Sequence, residues 1–303
     1  MKWVKRMLDI LLGAISLGLL WAVMTIGVFI TYRILDIADL TVEGSIAMGA
    51  AIAARGITAG MNPYAATALA LLGGMAAGLC TGLLHTQLKI PALLSGILTM
   101  IALWSVNLHI MGKANISLLR METVYTVFEN MRMNKTSAII TLGLIFVLAV
   151  ISILYWFFGT EIGSAIRATG SNPHMVRAQG INTDITIILG LVLSNGLVAV
   201  SGALIAQSQS YADVQMGTGA IVIGLASVII GEVLFGRKNF YIHLISLALG
   251  AVTYRIIIAL VLKLGMPAND LKLFTAITVA IALSLPVLQQ HIHPRKKSWK
   301  EVD

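Results

Sequence analysis

The sequence predicts an all-α polytopic membrane protein with about eight transmembrane helices, forming a single domain over residues 1–303. Three observations support this prediction. Of the 303 residues, 58% are hydrophobic and only 11% are charged, which is not the composition of a soluble globular protein. Apolar runs of about 20 residues, long enough to cross a bilayer as helices, recur along the chain. Polarity does not alternate within these runs, so a transmembrane β-barrel is not supported.

Short polar intervals divide the chain into apolar runs. The runs cover residues 7–32, 45–59, 64–84, 92–111, 137–158, 185–207, 217–235, 240–262 and 273–288. Glycines at four-residue spacing, Gly74, Gly78 and Gly82, predict that the third run packs closely against another helix. Segments 43–59 and 216–231 are both short and rich in small residues, and each is entered from a polar stretch. This similarity suggests an inverted repeat.

Basic residues lie in loops and in the tail rather than in a polar domain. The net charge of +8 therefore indicates cytoplasmic membrane flanks, and not binding of nucleic acid. With the tail 289–303 inside, the loops predicted to be cytoplasmic are 85–89, 160–184 and 236–239, and those predicted to be outside are 112–136, 208–216 and 263–272. The side of the membrane on which the amino terminus lies depends on residues 45–59. As a full span they place the amino-terminal cations outside, and as a re-entrant segment they place them inside.

The sequence lacks the residues that several kinds of chemistry require. The sequence has no phosphate-binding loop, so the chain is not expected to hydrolyse ATP alone, and we expect no enzymatic activity. Cys80 is the only cysteine, which excludes an internal disulfide and a cysteine metal site, and we expect no metal. A proton- or ion-coupled transporter should carry partnered charges in its spans, and this chain has few. A stand-alone secondary transporter nevertheless remains the alternative from another class.

The polar interval 160–182 reads as a helix, a turn and a short helix. Asn172 and Pro173 form a helix start, and Gly180 can end the helix after about two turns. A helix of this length is unstable alone in water, so we expect it to be held against something. The alternative is a solvated loop that only connects two spans.

This interval resembles the cytoplasmic coupling loop of ABC importer membrane subunits. The closest class is the ribose and branched-chain amino-acid permease superfamily. The residues that carry the resemblance are Gly163, Ile166, Ala168, Gly170, Asn172, Arg177 and residues 180–182. The resemblance implies that the short helix docks into a cleft of an ATP-hydrolysing subunit. The coupling residues it indicates are Arg167, Gly170, Asn172, Pro173, His174, Arg177, Ala178 and Gly180.

A second stretch, residues 37–45, is similar to the element where a span of this family breaks near the pathway. The chain keeps Asp39, Leu40 and Val42 but has Glu43 inserted before the following glycine and serine. Exposed backbone groups and carboxylates there would meet the substrate. The alternatives are a turn with helix-start carboxylates and, for the in-span amides, helix–helix hydrogen bonding. The pathway candidates are Asp39, Thr41, Glu43, Asn107, Asn195 and Gln207.

The resemblance also implies function and partners. It indicates the membrane subunit of an ATP-driven importer in the cytoplasmic membrane of a bacterium. The implied partners are two ABC ATPase subunits, a second permease copy, an extracytoplasmic substrate-binding protein and the lipid bilayer. The chain itself would bind no cofactor, because ATP and Mg²⁺ belong to the ATPase subunits. The expected substrate is a small amino acid or related metabolite, with a sugar or nucleoside as the alternative. Glu232, which stands where the family has a glycine, leaves the substrate class open.

Overall fold

The structure is a computed structural model that describes residues 2–263, 273–277, 279–280 and 284, with side chains omitted for residues 2–6 and Asn130. A π-helical turn, Ile30–Ile34, continues the first helix. The other elements are α1 (Lys2–Phe29), α2 (Thr41–Thr58), α3 (Pro63–Thr86), α4 (Ala92–Met111), β1 (Asn115–Ser117), α5 (Thr126–Asn130), α6 (Lys135–Phe158), α7 (Glu161–Ser171), α8 (Pro173–Ala178), α9 (Thr183–Gln209), β2 (Tyr211–Asp213), α10 (Ala220–Phe235) and α11 (Phe240–Lys263). Residues 264–272 of the predicted loop, the predicted tail and half of the predicted run 273–288 lie outside the described residues.

Helix α9 lies at the centre of the bundle. It packs against α1, α2 and α3, and α2 in turn is enclosed by α3, α4 and α9. On the other side, α1 packs against α6, α10 and α11. The main apolar cluster is built from the facing sides of these helices, while large apolar side chains on α3, α4 and α6 remain exposed. Exposed apolar residues on long helices are what contact with lipid requires.

The glycine spacing on α3 is used for helix packing, as predicted. A Cβ atom at Gly74 or Gly78 would collide with the backbone carbonyls of Asn195 or Leu191 on α9. At Gly82, an added Cβ atom would lie 3.2 Å from the Cα atom of Ile188. The stripe therefore brings the two backbones together.

The loops separate into two groups at opposite ends of the bundle. At one end, Lys89 and Asp184 form an ion pair of 3.4 Å, and the α7–α8 loop packs on the turn that ends α1. At the other end, β1 and β2 pair antiparallel, and Tyr64 donates a hydrogen bond to the carbonyl of Val124. This grouping matches the one predicted from charge. Because α1 runs without a break to the first end, its amino-terminal residues lie at the second end.

Six described helices are long and apolar enough to cross a membrane: Met7–Ile34, Pro63–Thr86, Ala92–Met111, Lys135–Phe158, Thr183–Gln209 and Phe240–Lys263. Helix α2 is outside this set, and α10 is a shorter apolar helix of 16 residues. The two shorter helices begin beside each other, since the N–H of Gly219 bonds to Glu43. From there α2 runs toward the strands and α10 toward the α7–α8 end, which is the opposed direction of an inverted repeat.

One local prediction needs correction. Helix α2 begins at Thr41, four residues before the predicted run, because the polar residues before Gly44 already belong to its first turn. The predicted loops 112–136 and 208–216 also contain the short β1–β2 pair, in which Asn115 lies opposite Asp213, within the all-α fold that the sequence predicts. Three-residue strands carry too little sequence pattern to be recognised.

Candidate coupling loop and translocation path

The local structure predicted for the loop is confirmed. The side chain of Asn172 accepts a hydrogen bond from the N–H of Met175 at 3.1 Å, which caps α8, and Pro173 occupies its first turn. The asparagine cap satisfies one amide of the first turn, and the proline has no N–H that would need an acceptor. The chain leaves α8 through Gly180, whose φ of +82° is easily reached only by glycine.

Helix α8 is attached to the rest of the chain by one face. Val176 is fully buried, and Arg177 Nε donates a hydrogen bond of 2.6 Å to Thr183 Oγ1 at the start of α9. The other face is open, because His174, Met175 and Ala178 are exposed. Met175 has 46% of its surface exposed. One face of this short helix is therefore fixed to the chain, and the other face is exposed.

Helix α7 rests on the end of the first span. Gly170 lies so close to the Ile34 carbonyl that no Cβ atom could be placed there. Thr169 and Thr186 share a hydrogen bond of 2.8 Å, and the guanidinium of Arg167 lies 5.1 Å from the ring centroid of Phe240. The predicted coupling residues thus fall into two groups. Arg167, Gly170 and Arg177 contact the membrane helices, whereas His174 and Ala178 face outward.

An ion cluster next to the loop, centred on the buried carboxylate of Glu232, was missed by the sequence reasoning. Glu232 on α10 accepts hydrogen bonds from Arg33 Nε at 2.9 Å and from Arg33 Nη2 at 2.6 Å. His243 Nε2 lies 3.0 Å from the same carboxylate, and Arg237 lies 3.7 Å away. The cluster joins the end of α1 to α10 and α11. Its only signal in the sequence was an acid in an otherwise apolar run, because Arg33 is 199 residues distant.

A cavity of 460 Å³ lies between this cluster and the loop. Its lining includes the cations Arg33, Arg167 and Arg237, together with Asp36 and Gly170. Movement of α7 would therefore change the shape of a space that borders the ion cluster.

Three pathway candidates meet at the start of α2. Asp39 accepts hydrogen bonds from the N–H of Thr41 at 2.9 Å and from Asn195 Nδ2 at 2.7 Å. Ser45 donates to Asn195 Oδ1 at 2.6 Å, and Thr41 shares a 2.7 Å bond with Thr81. Asn195 lies 12 residues into the 27-residue α9, or about 18 Å along a helix about 40 Å long. The chain thus re-enters near the middle of the bundle to start α2.

The next two candidates border a second cavity, which we call the mid-depth cavity. Glu43 Oε1 accepts the N–H of Gly219 at 3.0 Å, and Asn107 Nδ2 donates to the carbonyl of Gly44 at 3.2 Å. The cavity has a volume of 380 Å³. Its lining residues are Glu43, Gly44, Ala47, Met100, Ile101, Trp104, Ser105, Asn107, Val214 and Thr218.

Gln207 lies apart from the other candidates, near the strand end. Its Oε1 accepts the N–H of Val124 at 3.0 Å, and its Nε2 donates to Thr67 Oγ1 at 2.9 Å. Beside it, Tyr125 donates a 3.0 Å hydrogen bond to the Leu204 carbonyl, and burial raises the pKa of this phenol above its ordinary value. Gln207 therefore anchors the loop before α6, which matches the hydrogen-bonding alternative.

The family model for the permease component of branched-chain amino acid transport systems matches residues 10–283. The chain belongs to this family. It is the permease component of an ABC transporter, a polytopic membrane protein. The family's role as a transport subunit is consistent with a permease that has no enzymatic activity.

Two curated relatives extend over almost the whole permease. One is the tyrosine transport system permease protein of Clostridioides difficile, which is 41% identical over 96% of this chain and 99% of that protein. The second, an uncharacterised protein RP368 of Rickettsia prowazekii, is 32% identical over 91% of this chain and 98% of its own length. A more distant relative, the autoinducer 2 import system permease protein LsrC of Yersinia pseudotuberculosis, is 26% identical over 77% of this chain and 65% of that protein.

Solved structures support the fold of the permease. An ABC transporter of metal-chelate type in an inward-facing conformation superposes with a TM-score of 0.50 and 14% identity, covering 93% of this chain and 85% of that one. PsaBC from Streptococcus pneumoniae in complex with Fab gives a TM-score of 0.50 and 16% identity over 96% and 93% of the two chains. At these identities the likeness concerns the fold alone.

Proposed function

We propose that this permease is the membrane subunit of an ATP-driven importer for a small amino acid or a related metabolite. The substrate would be delivered by an extracytoplasmic binding protein. Two ATPase subunits, which bind ATP and Mg²⁺, would act on a pair of permease copies in the bacterial cytoplasmic membrane. The substrate class is supported by the printed name of the relative that is 41% identical over nearly its whole length.

The observation that carries the proposal is the exposed face of α8 on a rigid base. Because Val176 is buried and Arg177 bonds Thr183, a displacement of α8 is passed directly to α9. Because Gly170 contacts the Ile34 carbonyl, displacement of α7 is passed to the end of α1. Helices α9 and α1 are the central helices of the bundle, so a force on the loop can reorient the spans.

A sugar or nucleoside is the second candidate. A substrate outside the amino acids is favoured by the relative named as an autoinducer 2 import permease, at 26% identity. We rank the amino acid first because the tyrosine relative has the higher identity and coverage. Uptake of radiolabelled amino acids and sugars by the reconstituted complex separates the two substrate classes.

The coupling role is tested by Ala178→Asp. In the assembled complex this change would place an unpaired carboxylate in the contact with the ATPase subunit, at a cost of several kcal/mol of interface free energy. We expect loss of substrate-stimulated ATP hydrolysis and of transport, while the permease still inserts and elutes normally. A solvated connecting loop would tolerate the change within about 0.5 kcal/mol.

The matched control is Ala114→Asp, which introduces the same carboxylate at an exposed position at the opposite end of the bundle. Its stimulated ATPase activity should stay within twofold of the parent. Full stimulation in Ala178→Asp would reduce α8 to a connector and remove the main support for the proposed function.

A further inference from the structure

The mid-depth cavity carries a single formal charge. Among its lining residues, Glu43 is the only ionisable group, and no lysine, arginine or histidine borders the cavity. One wall is apolar and aromatic, built by Met100, Ile101 and Trp104. Within the described part of the chain, no cation forms an ion pair with Glu43. The cavity is therefore a negatively charged space beside an apolar wall, and it opens at the surface of the bundle, where Ile101 and Trp104 are 60% and 51% exposed.

Two acceptors at this cavity have unused capacity. Glu43 receives one described hydrogen bond, from the N–H of Gly219 to Oε1, although a carboxylate offers about four lone-pair sites. Asn107 is only 1% exposed, and its Oδ1 is buried with no donor in the described structure, because its Nδ2 is the atom bonded to Gly44. A buried acceptor without a donor and a carboxylate without a cation are both costly in an apolar medium.

We propose that the mid-depth cavity is a binding subsite for a solute that carries a primary ammonium group next to an apolar or aromatic portion. Glu43 binds the ammonium, Asn107 Oδ1 accepts one of its protons, and Trp104 packs on the apolar portion. The volume of 380 Å³ lies within the range of about 300–1,000 Å³ found for small-molecule sites. This assignment rests on the proposed import function and narrows its substrate to an amine.

The competing explanation is that Glu43 only bonds the start of α10. Glu43→Gln separates the two roles, because the amide oxygen can still accept the N–H of Gly219 while the charge is lost. Asp9→Asn is a matched control, since it removes an exposed carboxylate on α1 that does not line the cavity.

The test measures occupancy directly. In a Cys80→Ala background, Ser105→Cys places a thiol on the cavity wall, and Thr218→Cys places one at a second position. The reporter permease is purified with its ATPase subunits, without nucleotide or binding protein, and treated with a small thiol reagent. The probes are L-tyrosine, tyramine and 3-(4-hydroxyphenyl)propionate, of which the last lacks an amine. Uptake of radiolabelled tyrosine by the complete system is measured in parallel.

We expect tyrosine and tyramine to slow labelling at least fivefold at a concentration where the propionate has no effect. Glu43→Gln should raise the protecting concentration of both amines at least tenfold, and Asp9→Asn should leave it unchanged. Equal protection by the propionate, or unaltered protection in Glu43→Gln, would overturn the subsite. ATP-driven uptake of tyrosine without any protection would overturn it while leaving the import function standing. Absence of ATP-driven uptake for every amino acid would instead count against the proposed function.

Discussion

Removing the charge of Glu232 should destabilise the permease measurably. In Glu232→Gln, the carboxylate that receives two hydrogen bonds from Arg33 becomes a neutral amide whose NH₂ group must face another donor. Breaking a fully buried ion pair from one side costs about 3–5 kcal/mol. Here the side chain of Glu232 is only 5% exposed but that of Arg33 is 39% exposed, so Arg33 can turn toward water. The expected loss is therefore about 2–3 kcal/mol.

The assay is heating of the detergent-purified full chain, followed by size-exclusion chromatography of the remaining monodisperse protein. A loss of this size should lower the midpoint by about 5 °C. Glu122→Gln, an exposed position in the loop before α5, provides the matched control and should melt with the parent. In the double variant with Arg33→Gln, the loss should be smaller than the sum of the two single losses, because both variants break the same interaction. A midpoint for Glu232→Gln within 1 °C of the parent would refute the idea that this cluster fastens α1 to α10.

Two further predictions concern the ends of the bundle. With Cys80 replaced, single cysteines at Asn115 and Ser210 should react with an impermeant thiol reagent from outside, and one at His174 should react only after the membrane is opened; the reverse pattern would invert the assigned sides. Gly170→Val should cost about 1–3 kcal/mol of stability or displace α7, because the valine side chain would overlap the Ile34 carbonyl. The control is Gly13→Val, where an added Cβ atom meets nothing within 4 Å. Equal melting temperatures of the two variants would contradict the close contact at Gly170.

Much of the fold followed from the sequence because lipid imposes simple requirements. Apolar runs of sufficient length, separated by charged loops, were enough to place the long helices within a few residues. The start of α8 was equally readable, since Asn172 accepts the N–H of Met175 three residues away and Pro173 has no N–H of its own. Interactions between residues so close in the chain can be recognised from the sequence itself.

The tertiary partners of the polar residues could not be read in the same way. The bond between Asn195 and Asp39 spans 156 residues, and the bond between Glu43 and Gly219 spans 176. No local pattern records which acid meets which donor across such distances. The sequence reasoning therefore left the role of residues 37–45 open between pathway and helix start. The structure shows that both carboxylates bond the amides at helix starts, and it leaves Glu43 facing a cavity as well.

Backbone contact between α3 and α9 limits how the bundle can deform. Where Gly74 and Gly78 meet the carbonyls of α9, no side chain lies between the two helices that could change rotamer and absorb a displacement. Helices α3 and α9 must therefore translate or tilt together as one rigid unit. Regular helix is interrupted at the π-helical turn Ile30–Ile34 and at the non-helical connection that precedes Thr41, so bending costs less there. A displacement of α8 would therefore reach α9 at Thr183, and the hydrogen bond between Gln207 and Val124 would pass it on to the loop before α6.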